Sequence, residues 1–95
     1  MKNGDKSAKA ESLKDEGIKL FRFGEYDEAA TQFGEAYNLY EELGNARGQG
    51  EMLNNLGAIH TQEGRWNEAV GAFNDAKAIF ESLEDQDGLA QTLGN

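Results

Sequence analysis

Gly24-Glu25-Tyr26-Asp27-Glu28-Ala29 returns as Gly64-Arg65-Trp66-Asn67-Glu68-Ala69. The same offset of 40 residues joins Leu13 to Leu53, Gly17 to Gly57, Phe33 to Phe73, Ala36 to Ala76 and Leu43 to Leu83. A period of this size marks stacked units, each of which buries its apolar face only against a neighbour. Scaffolds of that kind usually present a surface to other molecules rather than perform chemistry.

Outward from the repeat, apolar residues run at helical spacing. Leu13, Gly17, Leu20 and Phe21 share one face. Tyr26, Ala29, Ala30, Phe33, Ala36, Tyr37, Leu39, Tyr40 and Leu43 form a second stripe. Leu53, Leu56, Ile59 and His60 form a third, with Gly57 inside it. Trp66, Ala69, Val70, Phe73, Ala76, Ile79, Phe80 and Leu83 form a fourth, and Leu89 and Leu93 begin a fifth. The chain has no proline and no strand-like alternation. Gly24 and Gly64 stand just past helix ends, where a left-handed residue costs least. Leu43-Gly44-Asn45 reads as a longer link with Asn45 as N-cap, and Asp85 or Asp87 caps its counterpart. The expectation is an all-α fold of five helices, over about 6–23, 26–43, 46–63, 66–83 and 87–95. They form one domain over 1–95: a first unit at about 10–45, a second at about 50–85, and a partial third or capping helix at about 87–95.

Composition narrows the function classes. A chain of 95 residues with 38% hydrophobic content builds only a small core, so stability is modest. It has no cysteine, hence no disulfide or thiolate metal site, which suits a reducing compartment. No apolar run approaches the roughly 18 residues of a membrane span, and the N-terminus lacks a signal-peptide core. A cytoplasmic protein is the expectation. The net charge of −9 argues against nucleic acid and anionic membrane surfaces, and is compatible with a protein partner carrying basic residues. It also keeps a small protein in solution.

At this point the chain resembles the tetratricopeptide repeat family. Leu53-Asn54-Asn55-Leu56-Gly57-Ala58-Ile59-His60 fits the first-helix pattern, and Leu13 to Leu20 fits it except at Glu16. The turn pattern is met by Gly24 to Ala29, and by Gly64 to Ala69 with Arg65 as the departure. Phe33, Ala36, Phe73 and Ala76 match the second-helix positions. The 40-residue unit and the missing proline resemble the family's long-unit branch, found in signalling adaptors and bacterial regulators. The resemblance implies an α-α superhelix, a solenoid of antiparallel helix pairs. Within it, Ala29 and Ala69 should face the mid-helix Gly17 and Gly57, Tyr26 and Trp66 should cover the turns, and Phe33 and Phe73 should wedge each unit against its neighbour. The third copy stops at Leu93-Gly94-Asn95, either as a capping helix or because the chain is part of a longer array.

The resemblance also implies a concave groove, lined by first helices, that holds a peptide. Its positions fall at Glu11, Lys14, Asp15, Ile18, Phe21 and Arg22, then at Glu51, Asn54, Asn55, Ala58, Thr61 and Gln62, and in the partial copy at Gln91 and Asn95. Asn55 stands out because an amide both donates to and accepts from a peptide backbone. The carboxylate-gripping set of one family subset is met only at Lys14 and Asn55; Ile18, Gln91 and Asn95 depart from it. His60, the single histidine, replaces a large apolar residue and reads as packed or boundary. No metal set, cofactor motif or nucleophile–base pair emerges; Gly44 to Gly50 lacks the ending of a phosphate loop, and its glycines, Gly48 and Gly50 among them, read as loop and helix-start residues. An interaction scaffold that is not an enzyme is the expectation. The alternative is self-assembly, as a homodimer or end-to-end stack through the terminal helices near Phe21 and Phe23 or Leu89 and Leu93, and an enzyme is the minor alternative.

Overall fold

The computed structural model describes residues 2–84, with side chains from residue 4, together with residues 88 and 92. Its elements are α1 (Lys2–Arg22), α2 (Tyr26–Glu42), α3 (Ala46–Gln62) and α4 (Trp66–Ser82). No strand occurs among the described residues, and consecutive helices pack against one another. The thinnest dimension is 17 Å, which is two helices at the usual spacing of roughly 8–10 Å. α1 starts four residues earlier than expected, because no breaker precedes it and Asp5 in its first turn suits the helix dipole. Gly88 and Thr92 are helical. The expectations for Asp85, Asp87, Leu89, Leu93 and the rest of a fifth helix lie outside the described residues.

The first three helices stop for the same reason. Gly24, Gly44 and Gly64 take φ of 78°, 68° and 74°. The Gly24 N–H donates to the Phe21 carbonyl and the Glu25 N–H to that of Leu20. The same pair of bonds closes α2 on Glu41 and Tyr40, and α3 on Thr61 and His60. These are Schellman closures, which satisfy carbonyls a helix end would leave unpaired. The link at 43–45 is therefore no longer than the links at 23–25 and 63–65, contrary to the sequence expectation. The 40-residue period consists of two 20-residue half-periods. Asn45 does cap α3, its Oδ1 accepting from the Gly48 N–H at 2.8 Å.

The fourth closure breaks the glycine rule. Glu84 occupies the corresponding position with φ 55°, where a Cβ is strained. Glu84→Gly is expected to raise stability by about 1 kcal/mol, read as a higher urea midpoint at unchanged slope.

Packing uses two sets of notches. A Cβ placed on Gly17 would lie 2.6 Å from Phe33 Cε1, and one on Gly57 would lie 2.6 Å from Phe73 Cε1. The rings, not Ala29 and Ala69, fill these notches, because a flat face can enter the space a missing Cβ leaves. Phe33 and Phe73 thus seal the helix pair they belong to. The wedge between one pair and the next lies two turns further on. Tyr40 of α2 lays its ring on Gly48 of α3, 2.6 Å from a Cβ there, and Phe80 of α4 sits between Gly50 and Gly88. Gly48 and Gly50, which read as loop or helix-start residues in sequence, are buried inside α3. Tyr26 does cover its turn, its ring centroid 5.5 Å from that of Phe21. Trp66 does not: it is 64% exposed.

Candidate functional site

On α1, Lys14, Ile18, Phe21 and Arg22 recur at three- and four-residue spacing and so lie on one side of the helix. α3 sets Glu51, Asn55 and Ala58 opposite them by the same rule. An open cleft of about 320 Å3 lies between them, lined by Ile18, Phe21, Arg22, Phe33, Asn55 and Ala58. Ile18 also borders a recess with Lys14, Glu51, Met52 and Asn55, and another with Asp15, Lys19, Arg22 and Phe23. The three depressions join around Ile18 into one groove. Its floor is apolar, and the Asn55 side-chain amide makes no hydrogen bond among the described residues.

Eight of the expected positions meet in this groove: Lys14, Asp15, Ile18, Phe21, Arg22, Glu51, Asn55 and Ala58. Glu11 stands beside it, accepting from Lys14 Nζ at 2.9 Å. Thr61 donates its hydroxyl to the Gly57 carbonyl at 2.9 Å, within its own helix, and Gln62 is exposed at the end of α3. Asn54 does not face the groove. It is 3% exposed and accepts from the Thr92 hydroxyl at 3.1 Å. Gln91 and Asn95 lie outside the described residues. Phe33, Lys19, Phe23 and Met52 line the groove without having been expected there. The spacing of α1 could have indicated Lys19 and Phe23, whereas Phe33 reaches the floor from α2.

Electrostatics at one end are set by a buried phenol. The Tyr40 hydroxyl donates to Glu11 Oε2. That bond, and next the one from Lys14, hold the Glu11 carboxyl below its ordinary 4.5. The bond to Glu11 pushes the Lys14 ammonium up, and burial, then the same carboxylate, push the Tyr40 phenol up. A depressed acid contributes stability above about pH 4.5, lost as pH falls through its folded value; raised Tyr40 and Lys14 contribute stability below about pH 10, lost above it. Wild type should therefore exceed Tyr40→Phe in stability at neutral pH. The gap should narrow below pH 4.5, as read by thermal melts across pH. A constant gap would show that the carboxylate is not the partner that matters.

His60 is half-buried and its Nδ1 has no partner. No three His, Cys, Asp or Glu side chains among the described residues could jointly hold a metal ion. No described helix is long and apolar enough to cross a membrane.

Residues 50–87 match the family model for the tetratricopeptide repeat. This stretch is a tetratricopeptide repeat. The match covers α3 from Gly50 onward, the turn at Gly64 and α4. α1 and α2, outside it, show the same glycine notch, the same aromatic fill and the same closure. Tetratricopeptide repeats are in general protein–protein interaction modules and generally not enzymes. No curated protein and no solved structure gives a significant match to the chain.

Proposed function

We propose that the chain binds an extended peptide, or a helix, of a partner protein in the groove between α1 and α3. The observation that carries this reading is the convergence on Ile18 of an apolar floor with the unpaired amide of Asn55. An apolar side chain of the ligand enters the cleft, and Asn55 exchanges hydrogen bonds with the ligand backbone. The helices are ordered before binding, so mainly the partner loses freedom. The overall charge of −9 favours a partner with basic residues around the rim. The reading takes 1–95 as one binding unit in a reducing, cytoplasmic setting.

The test is partner capture followed by titration. Asn55→Ala should weaken binding about tenfold, the size of one hydrogen bond. Ile18→Glu, which puts a charge on the apolar floor, should abolish it while leaving the helical circular dichroism unchanged. Equal capture by wild type and Ile18→Glu would remove the groove from the account.

One observation favours a second reading, self-association. Leu53 and Leu56 of α3 border one recess with Ala30 and Gly34 of α2, whereas the matching face of α4 leaves Trp66 and Val70 64% and 57% exposed. α1 cannot serve that face as α3 serves α2, because exposed Ser12, Glu16 and Lys19 stand where α3 has Met52, Leu56 and Ile59. Self-association would therefore pair two α4 faces rather than stack chains head to tail. Light scattering distinguishes them: a dimer abolished by Val70→Lys supports the pairing, and a monomer at high concentration removes it.

A further inference from the structure

The charges on the groove walls are sorted along its length. On one side of Ile18 stand the carboxylates of Glu11, Asp15 and Glu51 beside Lys14, whose Nζ already donates to Glu11 at 2.9 Å. Glu51 has a further, longer pairing, with Arg47 Nε at 3.8 Å. On the other side stand Lys19 and Arg22, and among the described residues neither forms an ion pair. The facing end of α3 adds no free charge to oppose them: Thr61 and Gln62 are neutral, and the nearby Glu63 is engaged by Arg65 at 3.8 Å. A chain of net charge −9 therefore carries a groove that is acidic at one end, cationic at the other and apolar between.

We infer that the groove selects a peptide bearing a basic and an acidic residue on either side of a bulky apolar one, the acidic group meeting Arg22 and the basic group meeting Asp15 and Glu51. The inference rests on the groove reading above and adds the ligand's chemistry. Arg22 suits a carboxylate because a guanidinium offers parallel N–H donors to both oxygens. The spacing follows from helix geometry. Asp15 and Arg22 are seven residues apart, which is about 10 Å at the helical rise. Successive side chains of an extended chain point to opposite faces, so only alternate residues of the ligand meet the groove together. The two charges on the ligand thus stand four positions apart, a span of about 13 Å, with the apolar side chain midway between them over Ile18. Net charge alone would favour basic residues throughout, and the Arg22 end is where that rule reverses.

Three end-blocked synthetic peptides test this. Each carries leucine midway between two charged positions, with one alanine on either side of the leucine: one with lysine and glutamate at the charged positions, one with two lysines, one with two glutamates. Binding is read from amide chemical shifts of the full chain in low salt. The mixed peptide should bind about fivefold tighter than either like-charged one, and the advantage should shrink in high salt, where exposed charges are screened. In Arg22→Glu the dilysine peptide should take the lead, with circular dichroism confirming that the helices are intact. If dilysine binds wild type as tightly as the mixed peptide, while shifts still centre on Ile18 and Asn55, the charge selection is wrong and the groove reading survives. If no peptide at millimolar concentration moves a groove amide, both are wrong.

Discussion

Gly17→Ala is expected to destabilise the protein by about 1–3 kcal/mol, although alanine is the better helix former by about 1 kcal/mol. The new methyl carbon would stand 2.6 Å from Cε1 and 2.8 Å from Cδ1 of Phe33. Phe33 has nowhere to go: it is 1% exposed and packed in the main apolar cluster. Either the ring leaves its rotamer or α1 moves off α2. Gly34→Ala and Gly71→Ala provide the contrast. Both positions are inside helices, and a Cβ on either meets nothing within 4 Å. These two should therefore gain about 0.5–1 kcal/mol from helix propensity alone. Gly57→Ala should fall between, because Phe73 is only half-buried and can yield. Urea titration of the four variants reads the order directly. Stabilisation by Gly17→Ala would mean that Phe33 does not occupy the notch.

Phe80→Ala should be the most damaging single truncation, costing about 3–5 kcal/mol. Phe80 is fully buried and fills the space between Gly50 and Gly88, so no neighbouring Cβ can move in to fill the void. A small domain holds only about 5–15 kcal/mol in all, so the variant should be largely unfolded near physiological temperature. Phe73→Ala should cost distinctly less, since its ring is partly in water already. Thermal melts followed at the helical circular dichroism band check both. Equal losses would return Phe73 to the role of inter-unit wedge.

The contrast between these two rings shows what the sequence could and could not convey. Spacing assigns residues to a face, and Phe33, Tyr40, Phe73 and Phe80 all lie on core-facing stripes. Depth along the stripe depends on where the neighbouring helix lacks a side chain. Gly17 and Gly57 were legible as notches because they interrupt strongly apolar stripes. Gly48 and Gly50 were not, because a glycine-rich run beside a turn resembles a loop when read locally. The 40-residue offset held the missing signal: it pairs Gly48 with Gly88 and Gly50 with Ala10, all buried. The equal links were obscured in the same way, since a half-period of 20 residues is carried only by Gly24, Gly44 and Gly64 and is broken by Glu84.

The groove was legible where one helix supplies it. On α1 the expected positions follow a single stripe, and three- and four-residue steps keep them together. On α3 the expectation took both Asn54 and Asn55, yet neighbouring residues on a helix differ by about 100° in direction. Asn55 looks into the groove, while Asn54 turns inward to the Thr92 hydroxyl. No spacing rule on α1 or α3 could place Phe33 at the groove floor, because it arrives from a third helix.

The most direct measurement is an amide chemical-shift map of the chain saturated with its captured partner. Perturbations centred on Lys14, Ile18, Arg22, Glu51, Asn55 and Ala58, with the Trp66 and Val70 amides unmoved, are the predicted outcome. A map centred on Trp66 and Val70, with α1 unaffected, would contradict the groove as the binding surface.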